Sequence, residues 1–181
     1  MNYIEFIKLG KSEVEKSSFA GDINLGTVKH EVGVRRFSGK VNVYNSKLLI
    51  WSLNAIDGQF SGDYVKYTDY MPSSFTGYLA GYVTFNWRQP EIMTRYRNGL
   101  LDGPVTIYRK DGSKEFLLNY SMGLLEGEQK HYITTSARVL HRYSKGVWKE
   151  SSKQLKNWFG TVEIDEVSSH RELKARVKTL V

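Results

Sequence analysis

Between residues 96 and 147 the chain spells nearly the same phrase twice: Gly99, Gly103 and Tyr108 return as Gly123, Gly127 and Tyr132. A fixed period of this kind restricts a fold more than composition does, because every unit must make the same contacts with its neighbours. The frame extends backwards. Gly58 and Gly62 are followed by Tyr67 at the full spacing. Gly77 and Gly81 keep both glycines but displace the aromatic, with Phe85 and Trp87 flanking Asn86. Gly39 and Tyr44 keep the second glycine and the tyrosine, and Tyr143 with Gly146 closes a half unit that echoes Tyr96 with Gly99 and Tyr120 with Gly123. The second glycines fall at 39, 62, 81, 103 and 127, at intervals of 23, 19, 22 and 24.

The runs between the glycines, such as VTIYR and EFLLNY, are rich in β-branched and aromatic residues, which suit strands. Asp111-Gly112 offers the positive φ angles of a two-residue hairpin turn. One period therefore reads as two strands of about six residues, a hairpin turn, and a glycine-bounded turn into the next hairpin. The first glycine of each pair supplies positive φ at that second turn. The second is expected to let a neighbouring aromatic pack against bare backbone. A lone hairpin is marginal in water, and joining hairpins buries what one cannot.

Asn98-Gly99-Leu100-Leu101-Asp102-Gly103, followed by Tyr108, Asp111-Gly112 and Tyr120, resembles the MORN repeat, in the shorter form of bacterial antitoxin-like proteins. The likeness is good over 96–147, moderate over 58–95 and weak before 58, and 148–181 lie outside it. It implies a mainly β fold, an elongated twisted sheet of repeated antiparallel β-hairpins, and brings no catalytic residue.

The ends read differently. Residues 1–37 form an N-terminal cap in which VKHEVGVRRF (28–37) alternates like a strand, while 1–25 fit a strand or a short helix. SGKVNVYNS (38–46) reads as a strand and opens the repeats, which run to 147. Residues 148–181 form a C-terminal capping segment. KQLKNWF (153–159) reads as a short helix and TVEIDEV (161–167) as a last strand. A helix follows over 169–181, with Ser169 and Glu172 as a capping box and Leu173, Val177, Leu180 and Val181 on one face. Such a helix would cover the open end of the array.

The chain has no cysteine, which excludes disulfides, thiolate metal sites and cysteine nucleophiles. No run approaches the ~18 apolar residues of a membrane-spanning helix, and the first residues show no secretory h-region, so a cytoplasmic protein is expected. Catalytic patterns are missing: there is no nucleophile elbow and no phosphate-binding loop. Asp57, Asp63, Asp102, Glu126 and Glu128 recur beside the repeat glycines, as turn-formers do. His131 and His141 read as neighbouring surface histidines across a turn near 134–137, without a third metal ligand. No enzyme, cofactor or small-molecule substrate is expected.

The formal net charge is +7, with 16 basic and 11 acidic residues over 91–181 against 10 and 8 over 1–90. Basic and aromatic residues coincide at Arg88, Arg95, Arg97, Arg142, Tyr143, Lys145, Trp148 and Lys149. Arginine and tyrosine are favoured interface anchors. These residues are the candidate contact set for a protein partner, in keeping with a protein-binding module and with the antitoxin or immunity role that the resemblance implies. Anionic lipid is the alternative, motivated by the basic stretch 130–156. Nucleic acid ranks below both, because acidic residues are scattered through the repeats.

Overall fold

The computed structural model describes residues 1–68, 89–155 and 166–178. Among these residues thirteen strands and two helices follow one another: β1 (Asn2–Lys8), β2 (Val14–Phe19), α1 (Leu25–Val34), β3 (Gly39–Asn45), β4 (Leu48–Ile56), β5 (Gln59–Tyr67), β6 (Pro90–Arg97), β7 (Leu100–Leu101), β8 (Gly103–Tyr108), β9 (Lys114–Ser121), β10 (Leu124–Leu125), β11 (Gly127–Tyr132), β12 (Ala137–Ser144), β13 (Val147–Leu155) and α2 (Glu166–Lys178). All strands belong to one open antiparallel sheet, in the order β13-β12-β11-β9-β8-β6-β5-β4-β3-β1-β2. Strands β7 and β8 are one strand interrupted at Asp102, and β10 and β11 are one interrupted at Glu126.

The mainly β hairpin array read from the sequence is therefore the observed fold, and it includes the first 19 residues, because β1 pairs with both β2 and β3. The Gly77–Gly81 unit, Phe85, Trp87 and Arg88, residues 156–165, and Leu180 with Val181 lie outside the described residues.

The period has a specific cause. Asp57-Gly58, Asn98-Gly99, Met122-Gly123 and Lys145-Gly146 all take positive φ at both positions, the signature of two-residue type I′ turns. Each turn glycine donates its N–H to the neighbouring hairpin of the sheet: Gly58 to the Phe37 carbonyl, Gly99 to Phe60, Gly123 to Leu101 and Gly146 to Leu125, at 2.8–3.0 Å. Those four acceptors are buried apolar residues, each two positions before a second glycine. A second bond runs in parallel. The first turn residue donates its N–H to the side chain just before that second glycine: Asp57 to Ser38 Oγ, Met122 to Asp102 Oδ1 and Lys145 to Glu126 Oε2. The carboxylates beside the glycines thus join successive units.

Three expectations need correction. Asp111-Gly112 does not make a two-residue turn. Arg109 donates its N–H to the Ser113 carbonyl and Gly112 to that of Arg109, leaving a three-residue loop with Gly112 at φ +86°. Close packing is not what requires the glycines at 103 and 127, since a Cβ on either would meet nothing within 4 Å. They are required by φ of +100° and +72°, where the strand breaks. The third correction is at 25–34, which is helix α1 and not a strand. Asn24 caps it by accepting the Thr27 N–H at 2.9 Å, and Val28 and Val32 bury one helical face, while Val34, which alternation would bury, is exposed.

One sheet face holds the core. Ile92 and Tyr96 on β6, Val105 and Ile107 on β8, Phe116, Leu118 and Tyr120 on β9, and Val139 and Tyr143 on β12 are all buried on it. Full burial of a side chain such as Phe116 or Leu118 contributes roughly 1.5–3 kcal/mol. Tyr96, Tyr120 and Tyr143 each stand opposite a second glycine in register, at Gly62, Gly103 and Gly127.

The C-terminal elements also differ from the sequence reading. Residues 153–155 continue β13, so no helix begins there, and Glu166 and Val167 open α2 and do not close a strand. The helix starts three residues before Ser169, which places that serine inside it and not at a cap. Leu173 is buried and Val177 half-buried as expected. The helix lies on the core face of the sheet, since Ser169 meets β11 and β12 and Arg176 meets Glu115 on β9.

Candidate functional site

The sheet divides the expected contact set between two faces. Arg95, Arg97 and Arg142 lie on the outer face. Each is tied to a carboxylate: Arg95 Nε to Asp63 Oδ1 at 3.1 Å, Arg97 Nε to Asp102 Oδ2 at 3.1 Å, and Arg142 Nη1 to Glu150 Oε1 at 2.5 Å. The fold brings acids from other strands to arginines that the sequence shows in basic surroundings. Lys145, at the tip of the β12–β13 turn, and Lys149 form no ion pair among the described residues. Tyr143 is buried on the core face, so it belongs to the core and not to an exposed contact set. Trp148 lies opposite Tyr143 on that face and is partly exposed, its ring 5.0 Å from that of His170.

The type I′ tips carry a feature that the sequence reading missed. The residue after the turn glycine is apolar and half-exposed in three successive hairpins: Leu100 at 43%, Leu124 at 50% and Val147 at 57%. All three sit on the outer face, opposite Arg97, Ser121 and Ser144. They form a row. A Cβ on Gly123 would meet Leu100 Cδ2 at 3.4 Å, and one on Gly146 would meet Leu124 Cδ2 at 3.4 Å. Met122, within a tip, extends the apolar surface at 53% exposure. The signal was present in the sequence as the apolar residue following Gly99, Gly123 and Gly146.

The core face near the C-terminus holds a second cluster, also missed. His131 and His141 are 2% and 0% exposed, so they are core residues and not surface histidines. Their ring nitrogens converge on one hydroxyl: His131 Nδ1 lies 2.6 Å and His141 Nε2 3.1 Å from Ser169 Oγ, itself 3% exposed. His131 Nε2 lies 3.4 Å from Glu172 Oε2. His141 Nδ1 lies 2.7 Å from Ser151 Oγ, which accepts the Trp148 indole N–H at 3.1 Å. The Phe116 ring stacks on His131 at 4.2 Å. Burial pushes both imidazoles down to about 4, assisted at His131 by His141 and Arg109 and at His141 by His170. Burial also lowers His170, with help from Lys174.

Ser169, His131 and Glu172 are the residue types of a hydrolytic triad, but the hydroxyl is buried and shared by a second imidazole, which leaves no approach for an acyl carbon. Among the described residues no group of three or more His, Asp or Glu side chains could hold a metal ion. No helix among them is long and apolar enough to cross a membrane.

Comparison with known proteins places no relative beside this site: no family model, no curated protein and no solved structure matches the chain.

Proposed function

We propose that this chain is a non-enzymatic protein-binding array and that the row of hairpin tips on its outer face is the contact surface. The half-exposed row of Leu100, Leu124 and Val147 carries this reading. Side chains repeated at equal steps along a rigid edge offer one partner several equivalent anchors, and the turn bonds hold them without further ordering cost. Arg97 and Lys145 flank the row, and Lys149 lies just beyond it, so the partner surface that fits is apolar with acidic residues around it. The MORN-like phrasing of 96–147 supports a narrower form of the same idea, an antitoxin-like or immunity-like protein that occludes an acidic surface of its partner in the cytoplasm.

The test is affinity capture from native host lysate with nuclease and a salt series, repeated with Leu124→Glu. A stoichiometric protein that persists at about 0.5 M salt, where charge attraction is strongly screened, and is lost with Leu124→Glu supports the reading. Recovery that ignores Leu124→Glu refutes the surface. Binding to anionic vesicles that is abolished by Lys145→Glu with Lys149→Glu, with no protein partner, would favour the membrane-surface alternative. Dependence on nuclease would favour nucleic acid.

A further inference from the structure

The polar contacts beneath α2 fit a single run of donors and acceptors at neutral pH. A carboxylate can only accept, so Glu172 beside His131 Nε2 favours a proton on that nitrogen and sets the direction of the run. Trp148 Nε1–H donates to Ser151 Oγ, whose own proton goes to His141 Nδ1. His141 is then the Nε2–H tautomer and donates to Ser169 Oγ. Ser169 passes its proton to His131 Nδ1, and His131 Nε2 lies 3.4 Å from the Glu172 carboxylate. Each hydrogen bond of the run then has one donor and one acceptor with both histidines neutral. The chain runs through β13, β12, α2, β11 and back to α2, so the helix is part of it twice.

One more proton turns the run round. A charged His131 donates from Nδ1 to Ser169 Oγ, which passes its own proton to His141 Nε2, and His141 Nδ1–H then faces Ser151 Oγ, a half-buried hydroxyl that can turn its proton to water. The charge itself finds no such relief: an imidazolium beneath the docked helix is shut away from water, His131 being 2% and His141 0% exposed. We propose that α2 is a proton-sensitive latch on the core face of the sheet, docked while His131 and His141 are neutral and released when they take up protons.

The surroundings favour release of the helix over rearrangement of the strands. His131 and His141 stand on β11 and β12, which are paired with each other over six residues and with β9 and β13 on their far sides. The described part of α2 buries only Ser169 and Leu173 fully. Its other ties include half-buried Val177, the Arg176–Glu115 pair at 2.9 Å, and His170, whose ring lies against Tyr143, His141 and Trp148. Among the described residues, the charged and titratable groups around the histidines are Arg109 beside His131, Tyr143 and His170 beside His141, and Glu172, Lys174 and Arg176 on the helix. Glu172 is the one carboxylate among them in contact with either imidazole, and its side chain is 63% exposed, so water screens its attraction for a charged His131. Burial holds both imidazoles well below their solution range while α2 is docked, and release returns them to it.

The natural chain lacks cysteine, so spin labels can be placed at will. Lys114→Cys on β9 and Ala175→Cys on α2, both exposed positions, would report the helix-to-sheet distance by pulsed electron resonance. One short distance is expected at pH 7.5. A longer, broader population should grow as the pH falls from 6.5 towards 5 and vanish on neutralisation, with the β-sheet circular dichroism unchanged. The released-to-docked ratio should rise on the order of tenfold or more over that range. His131→Asn with His141→Gln keeps an acceptor and a donor near Ser169 Oγ without titrating, and should abolish the rise. Should that variant fail to fold, Ser169→Ala removes the shared hydroxyl and is expected to show the long population already at pH 7.5. The proposal is overturned by a distance that stays short down to pH 5, or by strand dichroism lost in step with the distance. A folded double variant that responds like the natural chain, or a Ser169→Ala variant indistinguishable from it at pH 7.5, would overturn it equally.

Discussion

The two ends of the sheet carry a helix each, and the helices are held by different physics. At the N-terminal end α1 packs through Val28 and Val32, both fully buried, with Phe37 beside them in the same core and an asparagine cap at its start. No titratable group of α1 is buried. At the C-terminal end α2 contributes Leu173 and a serine wired into two buried histidines. Apolar contact is indifferent to protons, whereas a buried imidazole resists taking one up because the charge loses its water. The two ends should therefore answer differently to the same perturbation.

The largest difference is expected at equivalent glycines. A Cβ at Gly39 would overlap the Ile7 backbone carbonyl and touch the Phe37 ring, and its φ is +148°. Gly127 stands at φ +72° with open space around it. Gly39→Ala should abolish folding of the N-terminal strands, whereas Gly127→Ala should cost about 1–2 kcal/mol in a urea titration. Similar losses at both sites would break the comparison.

Acid should come next. Both histidines lie near 4 in the fold, below the ordinary 6.5, so the stability they carry is present above pH 6.5 and drains as the pH falls towards 4. Each shift corresponds to roughly 3 kcal/mol at the low end of that window. Hydrogen exchange, corrected for its intrinsic pH dependence, should show protection falling over 166–178 and staying level over α1. Core truncation should be smaller. Leu173→Ala should cost on the order of 2–4 kcal/mol, felt as lost protection of α2 alone, while Val32→Ala should lower the unfolding midpoint of the N-terminal end by about 1–3 kcal/mol. The smallest effects belong to the outer face. Arg95→Ala and Arg142→Ala break ion pairs that are more than half exposed and should each cost about 0.2–1 kcal/mol, vanishing in high salt.

The repeat was legible because φ is a property of single residues. The second turn position, at φ of +77° to +82°, is glycine in each described type I′ tip, so Gly58, Gly99, Gly123 and Gly146 announce the tips, whereas the first position, also at positive φ, is Asp, Asn, Met or Lys and gives no such mark. What those tips bond to was not legible, because backbone carbonyls leave no mark in a sequence. The buried histidines were within reach. His141 alternates with Val139 and Tyr143, and His131 faces Val139 across the ladder, so the strand period assigns both to the core face. The usual exposure of histidine outweighed that frame, and Ser169, the residue that makes burial tolerable, stands 38 positions away from His131. Helix α1 was misread because Val28 and Val32 satisfy alternation and helical spacing alike, and only the exposure of Val34 decides between them. The outer arginines were placed correctly on the surface, but their acids come from other strands or turns, which net charge along the chain does not reveal.

The joint between units has a consequence for how such a chain could have been written. A tip glycine supplies the donor, and an apolar residue a few positions downstream supplies the acceptor for the tip that follows. Each copied segment of this phrase therefore arrives with a plug at one side and a socket at the other. In-frame duplication of one phrase would lengthen the sheet by one hairpin and leave every existing joint intact, and deletion of one would close the gap with the same bond. Length is then a quantity that genetic slippage can adjust in whole steps, with each step adding one more apolar side chain to the row of tips.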